Sequence, residues 1–290
     1  MQRSTLLHLR FPFSFFLLPV FLFAFSISEQ FDWFDFVITG FILHLLLYPA
    51  SNGFNSFFDR DEQSIGGLKN PPEVTAELYY SSLLLDLIAL VIGYILISPT
   101  FSIMLLVYGL VSKAYSHPAI RLKKYPIIGW LAIFIFQGYF TFLMAYIGIN
   151  SVDISQTLQL KVQIPAILSS ILLGGSYPMT QIYQHSEDGE RGDYTMSRLL
   201  GILGTFHFTA FMFILATGGF VYFYLNYFEL QYLILFQVML LPSLIYFVVW
   251  YFRVRKDLNQ ADYSSTMKLN FISSSLLNVL FVVHWFLTIG

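Results

Sequence analysis

The sequence contains no cysteine and little charge. The absence of cysteine removes disulfides, thiolate metal sites and a cysteine nucleophile. Only 11% of the 290 residues are charged, against about 25% in ordinary soluble domains. That is too few to cover a water-facing surface. No phosphate-binding glycine loop, dinucleotide fingerprint, catalytic triad or nucleic-acid module occurs, so nucleic acid is not expected as a partner. The net charge of −2 is uninformative, because what matters is where the charges sit.

What is present is apolar, 57% of the chain. It falls into runs of about 20 residues, the length that crosses a bilayer: 11–28, 36–55, 78–97, 101–115, 125–147, 164–182, 199–225, 230–252 and 269–289. The expected fold is all-α, one polytopic transmembrane helical bundle of about nine spans over residues 1–290, embedded in membrane lipids. Arg3 and Arg10 precede the first run. No clean small-residue cleavage site follows it, so it reads as an anchoring span and not a signal peptide. With this span count every Lys and Arg except Lys161 falls on one side. By the positive-inside rule that side is cytoplasmic. The expected location is the bacterial inner membrane, with any active site at the cytoplasmic end.

The basic-side loops are also the long, polar ones, and two of them match. Tyr48-Pro-Ala-Ser-Asn52-Gly-Phe-Asn55 runs on to Asp59 and Asp61. Tyr177-Pro-Met-Thr-Gln181-Ile-Tyr-Gln184 runs on to Asp188 and Glu190. The match predicts two four-span pseudo-repeats, about 1–125 and 126–252, plus a ninth helix. Positions 52, 55 and 59 share one helical face, and so do 181, 184 and 188. Each helix would present two amides and a carboxylate to the bundle interior, where costly polar groups find partners. Two facing carboxylates repel unless a cation lies between them. Oxygen donors without Cys suit Mg²⁺ completed by phosphate oxygens. The bland alternative is interhelical hydrogen bonding alone.

A third loop carries Tyr115, Arg121, Lys123 and Lys124. It is either a plain cytoplasmic anchor or a grip on a polyanion, since Arg forks around phosphate and Lys meets it as a point charge. Asp86, inside the third span, reads as an interhelical bond, and His44, His207 and His284 as structural. Gly174-Gly175 and Gly218-Gly219 read as close-approach sites. The stretch from Gly66-Gly67 to Asn70-Pro71-Pro72 must break helix, either as a cap over the site or as a turn.

Taken together, Asn55-Ser56-Phe-Phe-Asp59-Arg-Asp61-Glu62-Gln63, Asp188…Gly192…Thr195 with Leu200-Gly201, Tyr115-Ser116…Arg121-Leu-Lys123…Pro126 and Arg10-Phe-Pro12 resemble the motifs of the UbiA superfamily of intramembrane prenyltransferases. Ser56, Gln63 and Gln184 stand where that family usually has Asp. The resemblance implies Mg²⁺-dependent transfer of a polyprenyl group from a polyprenyl diphosphate to an aromatic or other lipophilic acceptor, as in quinone or lipid biosynthesis. It puts Asn55, Asp59, Tyr115 and Asp188 in catalytic roles. It implies metal ligation by Asn55, Asp59, Asp61, Gln184 and Asp188, and diphosphate binding by Lys69, Arg121, Lys123, Lys124 and Arg191. Asn52, Gln63, Gln181, Glu187 and Glu190 are weaker candidates. A small-solute transporter and a catalytically inactive family member are the alternatives.

Overall fold

The structure is a computed structural model and describes residues 2–29 and 31–289. Among the described residues no strand forms, and the only β feature is an isolated Ile65–Leu68 bridge. Eight helices are long and apolar enough to cross a membrane: Arg3–Ser26, Trp33–Asp59, Ala76–Leu96, Pro126–Asn150, Leu160–Gln181, Met196–Tyr227, Leu230–Lys256 and Tyr263–Thr288. They correspond to the expected spans one to three and five to nine. The expected fourth is the helix Pro99–Ser116. Lys113, two tyrosines and several Ser dilute its apolar character. At 1.5 Å per residue it measures about 27 Å, close to the ~30 Å hydrocarbon thickness. It turns back along the third span, and Lys113 forms an ion pair with Asp86 there. Asp86 is thus paired by charge, where the sequence suggested a hydrogen bond.

Several spans are irregular for identifiable reasons. Arg10 has φ 49°, and behind it the first span tightens to a 3₁₀ helix over Phe11–Phe16. Its helical structure begins at Arg3, earlier than the apolar run. The second span widens to a π-helix at Ile42–Leu47, just ahead of Pro49. The fifth widens at Ile133–Phe140. There the Ser170 hydroxyl accepts from the Tyr139 amide at 2.7 Å and donates to the Phe134 carbonyl. A side chain inserted into the ladder in this way kinks a helix. Gly138 permits the approach, because a Cβ there would lie 2.3 Å from the Ser170 Cα.

The histidines bind neighbours, as expected of structural residues. His44 meets the Ser14 carbonyl, His207 the Tyr251 hydroxyl and His284 the Ser26 carbonyl. The helices enclose a cavity of about 760 Å³, lined by every span except the third. Stacked Phe23 and Phe281, 4.4 Å between ring centres, form its floor.

Candidate active site

The charged residues of the cavity wall all sit at its basic-side end: Arg10, Asp59, Asp61, Lys123, Asp188, Arg191 and Asp193. Two dissimilar supports bring the acidic ones there. The first is a continuous helix, Tyr48–Asp59, which puts Asn52, Asn55 and Asp59 on the wall in the expected register.

The second support departs from expectation. Tyr177–Gln181 is a 3₁₀ turn, the chain bends at Ile182-Tyr183, and helix resumes only at His185–Glu190. Gln181, Gln184 and Asp188 line the cavity but do not share one α-helical face. Pro178 lacks the amide that would return to the Gly174 carbonyl. The Trp130 indole takes that carbonyl at 2.8 Å, and the Thr209 hydroxyl takes that of Gly175 at 2.7 Å. With its carbonyls satisfied elsewhere, the helix ends.

The site is held by ion pairs. Lys123 bonds Asp59, and its ammonium also lies 3.4 Å from the Asn55 carbonyl oxygen, which accepts from Ser116 at 2.8 Å. Arg121 grips Asp193 with two bonds of 2.7 and 2.8 Å and reaches Asp59 at 3.4 Å. Arg191 bonds Asp61, approaches Asp188 at 3.5 Å and donates to the Asp59 backbone carbonyl at 3.3 Å. The two motif segments therefore meet through Arg191. Repulsion among these carboxylates is answered by the protein's own cations. The charge argument for an interposed metal, as read from sequence, is corrected to that extent.

Burial still tells on the acids. It pushes the Asp188 carboxyl from 3.8 up to about 6, against the pull of Arg191 and Lys123. Burial and the neighbouring Asp59 raise Asp61 as well, opposed by Arg191. Burial would lower Arg191, but Asp61, Asp59 and Glu187 together raise it.

The other expected residues divide clearly. Tyr115 lines the cavity with its hydroxyl against that of Tyr177, and Gln181 donates to Tyr177 at 3.1 Å. Lys69, Lys124, Glu62, Gln63 and Glu190 are exposed and do not line the cavity. In the short 3₁₀ turn Leu122–Lys124, Lys123 is buried and Lys124 is exposed. Glu187 is buried, but it clamps the neighbouring loop by accepting from the Glu62 amide at 2.9 Å. The Gly66-Gly67 segment turns against the cavity, where Ile65 and Gly66 line the wall and Arg10 donates to the Gly66 carbonyl at 3.1 Å. Arg10 also donates to the Asn52 carbonyl at 3.3 Å.

Sequence reasoning missed Asp193 and Tyr177 and gave Arg10 no role at the site. Asp193 carries a visible signal, an acid directly after Gly192, whose φ is +73°. Arg10 is a charge directly ahead of the first apolar run.

Among the described residues no group of three or more His, Cys, Asp or Glu converges as a metal cage. The available donors are Asp59, Asp61 and Asp188 with the carboxamides of Asn55 and Gln184. They are hard oxygens, partly committed to Lys and Arg. Such a set suits a divalent cation that takes its remaining ligands from a bound phosphate.

Comparison with known proteins follows the same line. The model of the UbiA prenyltransferase family matches residues 15–272. A UbiA homologue from Archaeoglobus fulgidus bound to GPP and Mg²⁺ is 16% identical, with TM-score 0.69 over 97% of this chain and 99% of that one. The apo structure of a UbiA homologue from Aeropyrum pernix K1 is also 16% identical, with TM-score 0.71 over 93% and 97%. A structure of digeranylgeranylglyceryl phosphate synthase is 19% identical, with TM-score 0.62 over 98% of each. No curated protein matches the chain in sequence.

Proposed function

The chain belongs to the UbiA prenyltransferase family, and on that premise we propose that it is a Mg²⁺-dependent enzyme moving a polyprenyl group from its diphosphate to a lipophilic acceptor. One observation carries the reading. Asp59, Asp188, Lys123 and Arg191 gather at one end of a chamber whose other end is aromatic. The ends suit the two ends of a prenyl diphosphate. The structures of family homologues with GPP or DMAPP and Mg²⁺ support it.

Asp59, Asp188 and the Asn55 and Gln184 carbonyls would hold Mg²⁺, with Asp61 beside them. When bound, the ion would offset diphosphate charge and ease its departure. Lys123 and Arg191 supply fixed positive charge to the same leaving group, in a site that need not reorganise as charge develops. Arg121 acts behind them by orienting Asp59 and Asp193. The allylic C–O bond breaks, its electron pair leaving with the diphosphate. The acceptor's electron pair closes the new bond and its proton passes to solvent. Ring faces in the wall, Tyr115 and Tyr177 nearest the charged end, face the developing carbocation.

We place the protein in the bacterial inner membrane, with the charged end cytoplasmic on the basic-residue bias. We also read the two motif segments as descendants of one duplicated four-span unit. Quinone or lipid biosynthesis is the proposed context.

The purified protein with geranylgeranyl diphosphate, Mg²⁺ and an extract of membrane lipids should release diphosphate and form a prenylated lipid. A chelator should stop both. Undiminished release in the chelator, or no release with any prenyl diphosphate, would refute the reading.

A further inference from the structure

A diphosphate freed at the charged end of the chamber has to leave it, and the chamber's open side does not serve. The exposed wall residues are Ile214, Gln237, Leu241, Leu244 and Val248, all on the seventh and eighth spans. Four of the five are aliphatic, and exposure on a spanning helix means lipid, where a polyanion is very costly. Among the described residues that line the charged end, none is exposed.

Most of that end is tied shut. Arg191 bonds Asp61, Glu187 accepts from the Glu62 amide at 2.9 Å, and Arg10 holds the Gly66 carbonyl. On the other side Arg121 grips Asp193, and the Tyr194 amide donates to the Lys124 carbonyl at 3.2 Å.

Tyr183 is held differently. It lies on the bend between the 3₁₀ turn Tyr177–Gln181 and the helix His185–Glu190. Among the described residues its hydroxyl has no hydrogen-bond partner, although it is buried, a costly state. Its ring meets that of Tyr263 edge-on, with 5.3 Å between centres. Behind it is a second cavity of about 400 Å³, lined by Gln63, Ser64, His185, Ser186, Asn259 and Asp262 among others. Gln63, Ser186 and Asn259 are exposed, so this cleft opens to water on the basic side. Among the described residues, Tyr183 is the only one that lines both cavities. No described Lys or Arg lines the cleft, and its one acid, Asp262, accepts from the Ser265 amide at 2.7 Å. A polar cleft without fixed cations passes a polyanion on to water and does not retain it.

We infer that this cleft is the exit for inorganic diphosphate and that Tyr183 is the gate between it and the chamber. Swinging the ring aside breaks no ion pair and no hydrogen bond, whereas every other opening of the charged end described above breaks one or more. Product release through such a gate commonly sets turnover. The inference rests on the prenyltransferase reading for the origin of the diphosphate, but the escape of bound diphosphate can be timed without turnover.

The chain has no cysteine, so a single one can be placed at the mouth of the cleft. Asn259→Cys protein is loaded with radiolabelled diphosphate and Mg²⁺ and chased with the unlabelled anion. Modifying the cysteine with a bulky anionic thiol reagent should slow escape about tenfold or more, equivalent to about 1.4 kcal/mol on the escape barrier. The same modification of Lys256→Cys, exposed and outside the cleft, should change nothing. Tyr183→Ala should speed escape by a similar factor. If that variant does not fold, the modified Asn259→Cys decides alone. Unchanged escape after modification of Asn259→Cys overturns the inference, as does equal slowing in Lys256→Cys or unchanged escape in a folded Tyr183→Ala. Slowed escape with no prenyl transfer in any assay keeps the exit and sinks the enzymatic reading. Prenyl transfer without measurable retention of diphosphate removes the gate and leaves the enzymatic reading standing. Absence of both retention and transfer refutes both.

Discussion

Tyr48–Asp61 and Tyr177–Glu190 spell nearly the same pattern, yet the first folds as an unbroken helix to Asp59 and the second breaks after Gln181. Each carries a proline one residue after its tyrosine. In the first, the wide turn Ile42–Leu47 lies directly ahead of Pro49, and the ladder restarts behind it. In the second, Trp130 and Thr209 capture the carbonyls that Pro178 and its neighbour would leave open. The consequence is electrostatic. Asp59 is locked by Lys123 and Arg121. Asp188 has Arg191 only at 3.5 Å and Thr195 at 3.4 Å. Similar words in a sequence have produced one fixed carboxylate and one loosely held one.

The largest effect should follow removal of the fixed member. Asp59→Ala strips Lys123 of its partner as well as deleting a carboxylate, so the charged end loses both its sign balance and its geometry. Diphosphate release at saturating Mg²⁺ should fall by about 10³-fold, the scale of losing one preorganised electrostatic contact with a disturbed neighbour. A loss under tenfold would mean that Asp59 serves only the fold. Asp188→Asn should act differently. It removes the looser ligand and leaves the Asp59–Lys123–Arg121 group intact, so half-saturating Mg²⁺ should rise about tenfold or more while kcat at high Mg²⁺ falls less than in Asp59→Ala. Identical defects in the two variants would erase the distinction.

Proton competition sharpens the same contrast. The Asp188 carboxyl has its pKa raised from 3.8 to about 6 by burial, so the folded chain holds that proton more tightly than the unfolded one. Its ionised form therefore opposes folding above pH 6, and the penalty fades as the pH falls from 6 towards 4. Cation binding runs the other way, because a divalent ion needs the carboxylate. From pH 7 to 5 the ligand-free protein should gain thermal stability from this group while its apparent Mg²⁺ affinity drops several-fold. The Asp188→Asn protein should show neither slope from this site. A wild-type Mg²⁺ affinity flat across that range would refute the assignment.

Fold class was readable because apolar runs of spanning length need no tertiary information. The fourth span was readable as a short apolar run at 101–115, although Lys113 dilutes its end and that residue's partner Asp86 lies in a different helix. The site was half readable. Asn52, Asn55 and Asp59 lie on a true helix, so their spacing predicted a shared face. Gln181, Gln184 and Asp188 have the same spacing, but the break depends on an indole from the fifth span and a hydroxyl from the seventh. Those contacts are invisible to local pattern. Lys123 and Lys124 look equivalent in sequence, and only the turn sends one inward. Asp193 needed its Arg121 partner, 72 residues away, to be seen as part of the site.

The smallest predicted effect addresses the break itself. If proline alone ends the sixth span, Pro178→Ala should let helix run through Ile182 and move Asp188. If the captured carbonyls end it, the variant should keep the bend, because Trp130 and Thr209 still hold Gly174 and Gly175. The two hydrogen bonds favour the second outcome. Pro178→Ala should change stability by less than about 1 kcal/mol and leave half-saturating Mg²⁺ where it was, whereas Thr209→Val should cost about 1 kcal/mol by freeing a buried carbonyl. Denaturation in detergent and Mg²⁺ titration of both variants decide between the two. A large shift in Mg²⁺ affinity for Pro178→Ala alone would return the difference between the two segments to a single residue's missing amide.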